Sequence, residues 1–184
     1  MFDDDIKIAG THTGGGTQPD AGELAAQDFL AQKRNGNIDR ARGLGEAFAK
    51  TLWGLAQDLI MDDESVFTQQ EIHHRLLLCS YSVNRVIANH SPNSIVAQTI
   101  LSRFYAEVED QSIVLHRHIS DTAAFSLYIL NERSGHGGDD AVGRIYAKLT
   151  GHENDPESIL AGREVYESFS AGCKALLDQV IFAV

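Results

Sequence analysis

The sequence predicts an all-α protein, a compact bundle of six to seven helices with a flexible N-terminal tail. Three observations carry this expectation. Apolar residues recur at spacings of three and four along most of the chain, which is the period of a helix face. The chain's three prolines, Pro19, Pro92 and Pro156, all fall outside those stripes. Helix start signals stand ahead of several stripes. No alternating strand pattern of useful length interrupts them, apart from an ambiguous stretch at residues 113–119.

Residues 1–19 read as the tail. The run Gly14-Gly15-Gly16-Thr17-Gln18-Pro19 is polar and glycine-rich, and it offers nothing to bury. Residues 20–184 read as one helical domain, a size that buries its own core without disulfides. The first helix starts at Asp20, whose carboxylate can cap, with Glu23 at the N3 position, and it fades by Asn35-Gly36. The second follows Asn37 and carries Ala41, Leu44, Phe48, Leu52, Leu55 and Leu59 on one face. Gly43, Gly45 and Gly54 weaken it by up to about 1 kcal/mol each, or let a neighbouring helix come close; both can hold.

The third helix has the strongest start. Thr68-Gln69-Gln70-Glu71 is a capping box, with Phe67 and Ile72 spaced for a hydrophobic staple. Its stripe runs through Ile72, Leu76, Cys79, Val83, Val86 and Ile87, and Leu77 and Leu78 widen it, so this helix is expected at the centre. Ser91-Pro92 is expected to close it and cap the next. Residues 91–132 form one bent helix or two, and a break is placed near Asp110, where an acidic cluster interrupts the stripe. A glycine-rich loop at 134–138 leads to a short helix capped by Asp139 or Asp140 and closed by Gly151. Asp155-Pro156-Glu157 opens the last helix, whose apolar side leads into the apolar end 180–184. That end is expected to dock on the core or to form part of an oligomer contact.

Charge narrows the function. Fifteen basic against 26 acidic residues give a net charge of −11. Such a chain repels polyanions, so nucleic-acid binding is not expected. Its acidic clusters serve solubility, or the docking of a basic protein partner. No window reaches the roughly 20 apolar residues of a membrane span. Asp3, Asp4 and Asp5 stand where a signal peptide would carry positive charge, so a cytoplasmic location is expected.

The eight histidines are the natural carriers of metal chemistry. His116-x-His118 could chelate on a strand, as in the metal-dependent amidohydrolases, but that barrel needs about 200 residues or more and the surroundings read helical. On a helix, His118 and Asp121 share a face and His116 does not. Glu71-x-x-His74 has the spacing of a bundle di-iron ligand pair, without the rest of the set. A mixed metal site of His74, His118 and Asp121 is therefore the candidate, with a divalent ion; no other cofactor is predicted. His136, Asp139 and Asp140 in the glycine-rich loop are a second candidate for a cation. Cys79 and Cys173 lie in apolar stripes and read as core. Trp53 reads as core or as an interface anchor. No complete catalytic constellation is present. The leading expectation is a helical protein that acts through protein–protein contacts and self-associates; the alternative is a metal- or ligand-binding bundle.

Overall fold

The computed structural model describes residues 20–61, 67–133 and 140–183. Among these, every regular element is a helix: α1 (Ala21–Arg34), α2 (Asn37–Met61), α3 (Gln69–His90), α4 (Ser94–Gln111), α5 (Ile113–Ile119), α6 (Thr122–Arg133), α7 (Asp140–Leu149) and α8 (Pro156–Asp178). The all-α expectation holds. The segment expected over 111–132 is divided in two, which makes eight helical segments with the short α5 counted. The expected tail, residues 1–19, lies outside the described residues.

The starts and stops follow local chemistry. Asp20 caps α1 by accepting from the Glu23 N–H at 2.8 Å, and Gly36 leaves it at φ 73°, a region that suits glycine. The Thr68–Glu71 box at α3 is complete: Thr68 Oγ1 accepts from the Glu71 N–H, and a Glu71 carboxylate oxygen accepts from the Thr68 N–H at 2.7 Å. At the end of α7, the His152 N–H reaches the Ala147 carbonyl and the Gly151 N–H the Lys148 carbonyl, which is a Schellman closure around Gly151. Asp155 caps α8 ahead of Pro156.

Two boundaries differ from expectation. Asn93, not Ser91, caps α4, because Asn93 Oδ1 reaches the Val96 N–H at 2.9 Å, while Ser91 closes α3. The break expected near Asp110 falls at Ser112, an extended residue that ends α4 and caps α5 through the Leu115 N–H. A second break follows at Ser120-Asp121, where Asp121 Oδ1 accepts from the Ala123 and Ala124 N–H groups at 3.1 and 3.0 Å.

Packing centres on α3, which buries twelve residues from Ile72 to Ile87. One apolar cluster joins α2, α3, α4, α5 and α8, and contains Phe48, Leu52, Leu76, Ile100, Phe104 and both cysteines. A second joins Leu77, Leu78, Tyr81, Ala124, Tyr128 and Tyr146. Trp53 is half-buried and packs against the first cluster. Small residues set two close approaches. At Gly45 a Cβ would stand 2.6 Å from the Ile100 carbonyl oxygen, so α2 and α4 touch backbone to backbone. At Gly162 it would stand 2.6 Å from Tyr146 Cβ, which lets α7 lie on α8. Gly43 and Gly54 face open space and represent only the helix cost.

The apolar end docks on the chain itself. Asn37 is fully buried. Its Nδ2 donates to the Ala183 carbonyl and its Oδ1 accepts from the Ala183 N–H, both at 2.8 Å. The second Nδ2 hydrogen goes to Gln32 Oε1 at 2.7 Å, and Arg40 Nη1 donates to Oδ1 at 3.2 Å. One amide side chain thus satisfies both main-chain groups of a residue 146 positions away, as a strand neighbour would. Val180 and Phe182 pack on the core, and Ile181 points out.

Candidate functional site

A cluster of titratable residues stands at the crossing of α3 with the α5–α6 corner. His73 and His74 lie in the second turn of α3. His118 ends α5, and Asp121 follows at the corner because Ser120 stops the helix. The corner turns both side chains toward the start of α3. His73 Nδ1 and His118 Nδ1 face each other at 3.0 Å. On the other side of the same ring, His73 Nε2 stands 3.4 Å from Asp121 Oδ2. His74 meets the His73 ring edge-on at 4.7 Å between centroids.

These contacts order the protons. The Ala124 N–H, and after it the His73 ring, hold the Asp121 carboxyl below its ordinary value, so it is a carboxylate near neutral pH. A carboxylate only accepts, so the hydrogen of neutral His73 belongs on Nε2. Nδ1 of His73 is then a lone pair, and His118 Nδ1 supplies the hydrogen between the rings. Burial, and then the neighbouring His73, push the His118 pKa down. His74 is lowered for the same two reasons, and its Nδ1 is buried without a hydrogen-bond partner.

Of the three expected ligands, His118 and Asp121 are therefore brought to one cluster, on either side of His73. His74 is beside it, 8% exposed. His73 is the member that sequence reasoning missed. Among the described residues no three His, Cys, Asp or Glu side chains are grouped as a metal-holding set. Glu71 is engaged as the capping-box acid, with its other oxygen 3.7 Å from His152 Nε2.

The second candidate divides. His136 and Asp139 lie outside the described residues. Asp140 opens α7 and meets Arg163 Nη1 at 3.3 Å. It lines a groove of about 910 Å³ between α7 and the start of α8, where Arg144, Lys148 and Arg163 also stand. Lys148 and Arg163 are already paired there, with Glu153 and with Asp140 and Glu167. The cysteines are buried, and burial pushes each thiol up to about 12, so neither is a nucleophile near neutral pH.

The other feature is α1, whose residues 20–30 are exposed wherever their side chains are described. Leu24 is 47% exposed, Phe29 42% and Leu30 51%. At about 100° per residue, these three are spread around the helix about a third of a turn apart. Phe29 and Ala25 face a groove of about 580 Å³ shared with α2 and α4. The opposite side carries Glu23, Leu24, Gln27, Leu30 and Arg34. Acids stand at its start and bases, Lys33 and Arg34, at its end.

Compared with known protein families, with curated proteins and with solved structures, the chain matches none.

Proposed function

We propose that this protein works through protein–protein contacts, first of all with a second copy of itself, and that α1 is the contact. The observation that carries the reading is the outer face of α1. Leu24 and Leu30 flank a polar strip on the side turned away from the body of the protein, so the chain's own core has no way to cover them. A helix with apolar residues on all sides is one that expects cover.

Charge names the occupant. In an antiparallel pair about a twofold axis, Glu23 of one copy stands beside Arg34 of the other, and the reverse contact repeats it. An isologous interface needs this self-complementarity. Each rim pair is worth a few tenths of a kcal/mol, so it sets orientation, while the leucines supply the affinity. The apolar chain end, the other expected contact, is tied to Asn37 within its own chain, which favours α1 over it as the contact.

The role that fits is a scaffold or regulatory one. The acidic surface suits a basic protein as a further partner. Two free, buried cysteines fit a reducing, cytoplasmic setting, and no described helix is long and apolar enough to cross a membrane.

The test is a charge swap. Glu23→Arg weakens the pair, and so does Arg34→Glu. The two changes in one chain restore it, because each copy again offers complementary ends. Equal dimer dissociation constants for all four proteins would refute the antiparallel Glu23–Arg34 pairing, and a dimer unchanged by Leu24→Glu with Leu30→Glu would refute α1 as the interface.

A further inference from the structure

The His73–His118 contact has a use apart from self-association. We propose that these two imidazoles form a binding site for a divalent transition-metal ion that favours nitrogen ligands, such as zinc, held between their Nδ1 atoms.

Three observations lead there. The first is the gap. Two nitrogens bound to one zinc at about 2.0–2.1 Å with tetrahedral angles stand about 3.3 Å apart. The Nδ1 atoms are 3.0 Å apart, so an opening of a few tenths of an ångström, with the His118 hydrogen moved through solvent from Nδ1 to its own Nε2, gives two neutral rings whose Nδ1 lone pairs can take the ion. The second is Asp121. A carboxylate on the far nitrogen of a metal-bound histidine fixes its tautomer and raises its basicity, and Asp121 stands on Nε2 of His73, leaving Nδ1 as the donor lone pair. The third is access. The His73 side chain is 24% exposed, so an ion can enter and water can fill its remaining positions. With two protein ligands the site is open, not closed and structural. Asp121 acts here through His73 and is a positioning residue. Its Oδ1 keeps α6 capped while Oδ2 turns to the ring.

Full-length protein is titrated with zinc chloride near pH 7.5 and followed by calorimetry. One ion per chain is expected. His73→Ala and His118→Ala each lower the affinity at least tenfold. Asp121→Asn, which retains a side-chain oxygen for the cap, lowers it about ten- to hundredfold, the usual effect of losing such a support. His116→Ala serves as the control: His116 is on the same short helix but its Nε2 faces the Ser120 hydroxyl at 3.5 Å, so binding stays as in the wild type. Should a variant fail to fold, the wild type gives a second readout. Zinc should move the His73 and His118 ring-nitrogen resonances ahead of those of the other histidines. Absence of binding, equal loss in the His116 variant, or shifts centred on other histidines would show that the pair shares a proton and nothing more.

Discussion

Replacing Asn37 tests how the chain end is held. The side chain makes four hydrogen bonds, three of them at 2.7–2.8 Å, to Gln32 and to both main-chain groups of Ala183. A neutral bond contributes about 1 kcal/mol net. Ala183 and Gln32 lie near the surface and regain water when released, so Asn37→Ala should cost about 2 kcal/mol rather than the full sum. For a chain of this length that is about 4–8 °C in melting temperature. Asn37→Asp separates the clamp from simple bulk. It keeps the shape, and an acid in the first turn of α2 would otherwise stabilise the helix. Yet it loses both donors and sets an oxygen against the Ala183 carbonyl. It should therefore be at least as destabilising as the alanine variant. The assay is urea unfolding with amide exchange at residues 181–183. An Asn37→Asp variant as stable as the wild type, with Ala183 still protected, would refute the clamp.

Other expectations concern the packing and the caps. Gly45→Ala places a methyl against the Ile100 carbonyl and Phe104 nitrogen and should cost about 1–3 kcal/mol as overpacking, read from the unfolding midpoint; Gly43→Ala, which faces open space, should be neutral or slightly stabilising by the same measurement. Thr68→Ala removes the cap of α3 and should cost about 1 kcal/mol. The Glu71 pKa is lowered first by the Thr68 backbone hydrogen bond, which Thr68→Ala keeps, and then by the hydrogen bond from the Thr68 hydroxyl, which it removes. A lowered acid adds stability above its unfolded value of about 4.5 and loses it as pH falls through the folded value, so the gap between wild type and Thr68→Ala should shrink in acid melts below that pH. Cys79 and Cys173, both pushed up to about 12, should react with iodoacetamide at neutral pH only as fast as the protein unfolds; prompt labelling of the native protein would contradict their burial.

What could be read from the sequence was local. A capping side chain and the N–H that donates to it are three residues apart, so Asp20, the Thr68–Glu71 box and Asp155-Pro156 are visible, as is Gly151. The stripes placed Leu76, Val83 and Ile87 in the core. What escaped depends on distant chain. His73 and His74 look equivalent as neighbours, but 100° of helix sends His74 into the interior and His73 to the flank that α5 covers. The only hint was that His73 stands off the Ile72–Leu76 stripe, on a helix expected to be packed on most sides. Asn37 was read as a helix start, and its tie to Ala183 crosses 146 positions. Gly45 could not be told from Gly43 and Gly54, since only the arrival of α4 distinguishes them. Asp121 was proposed as a metal ligand for sharing a face with His118 on a continuous helix; the chain breaks between them, and the acid reaches the cluster as the cap of the next helix.

Native mass is the direct readout of α1 as a pairing helix. Sedimentation equilibrium of the full chain over a wide concentration range should give twice the 20.1 kDa chain mass at the upper end. The double variant Leu24→Glu, Leu30→Glu should sediment as a single chain at every concentration, with its melting temperature unchanged at concentrations where the wild type is also monomeric. A wild type that stays at one chain mass throughout, or a dimer that the two glutamates leave intact, would contradict the account.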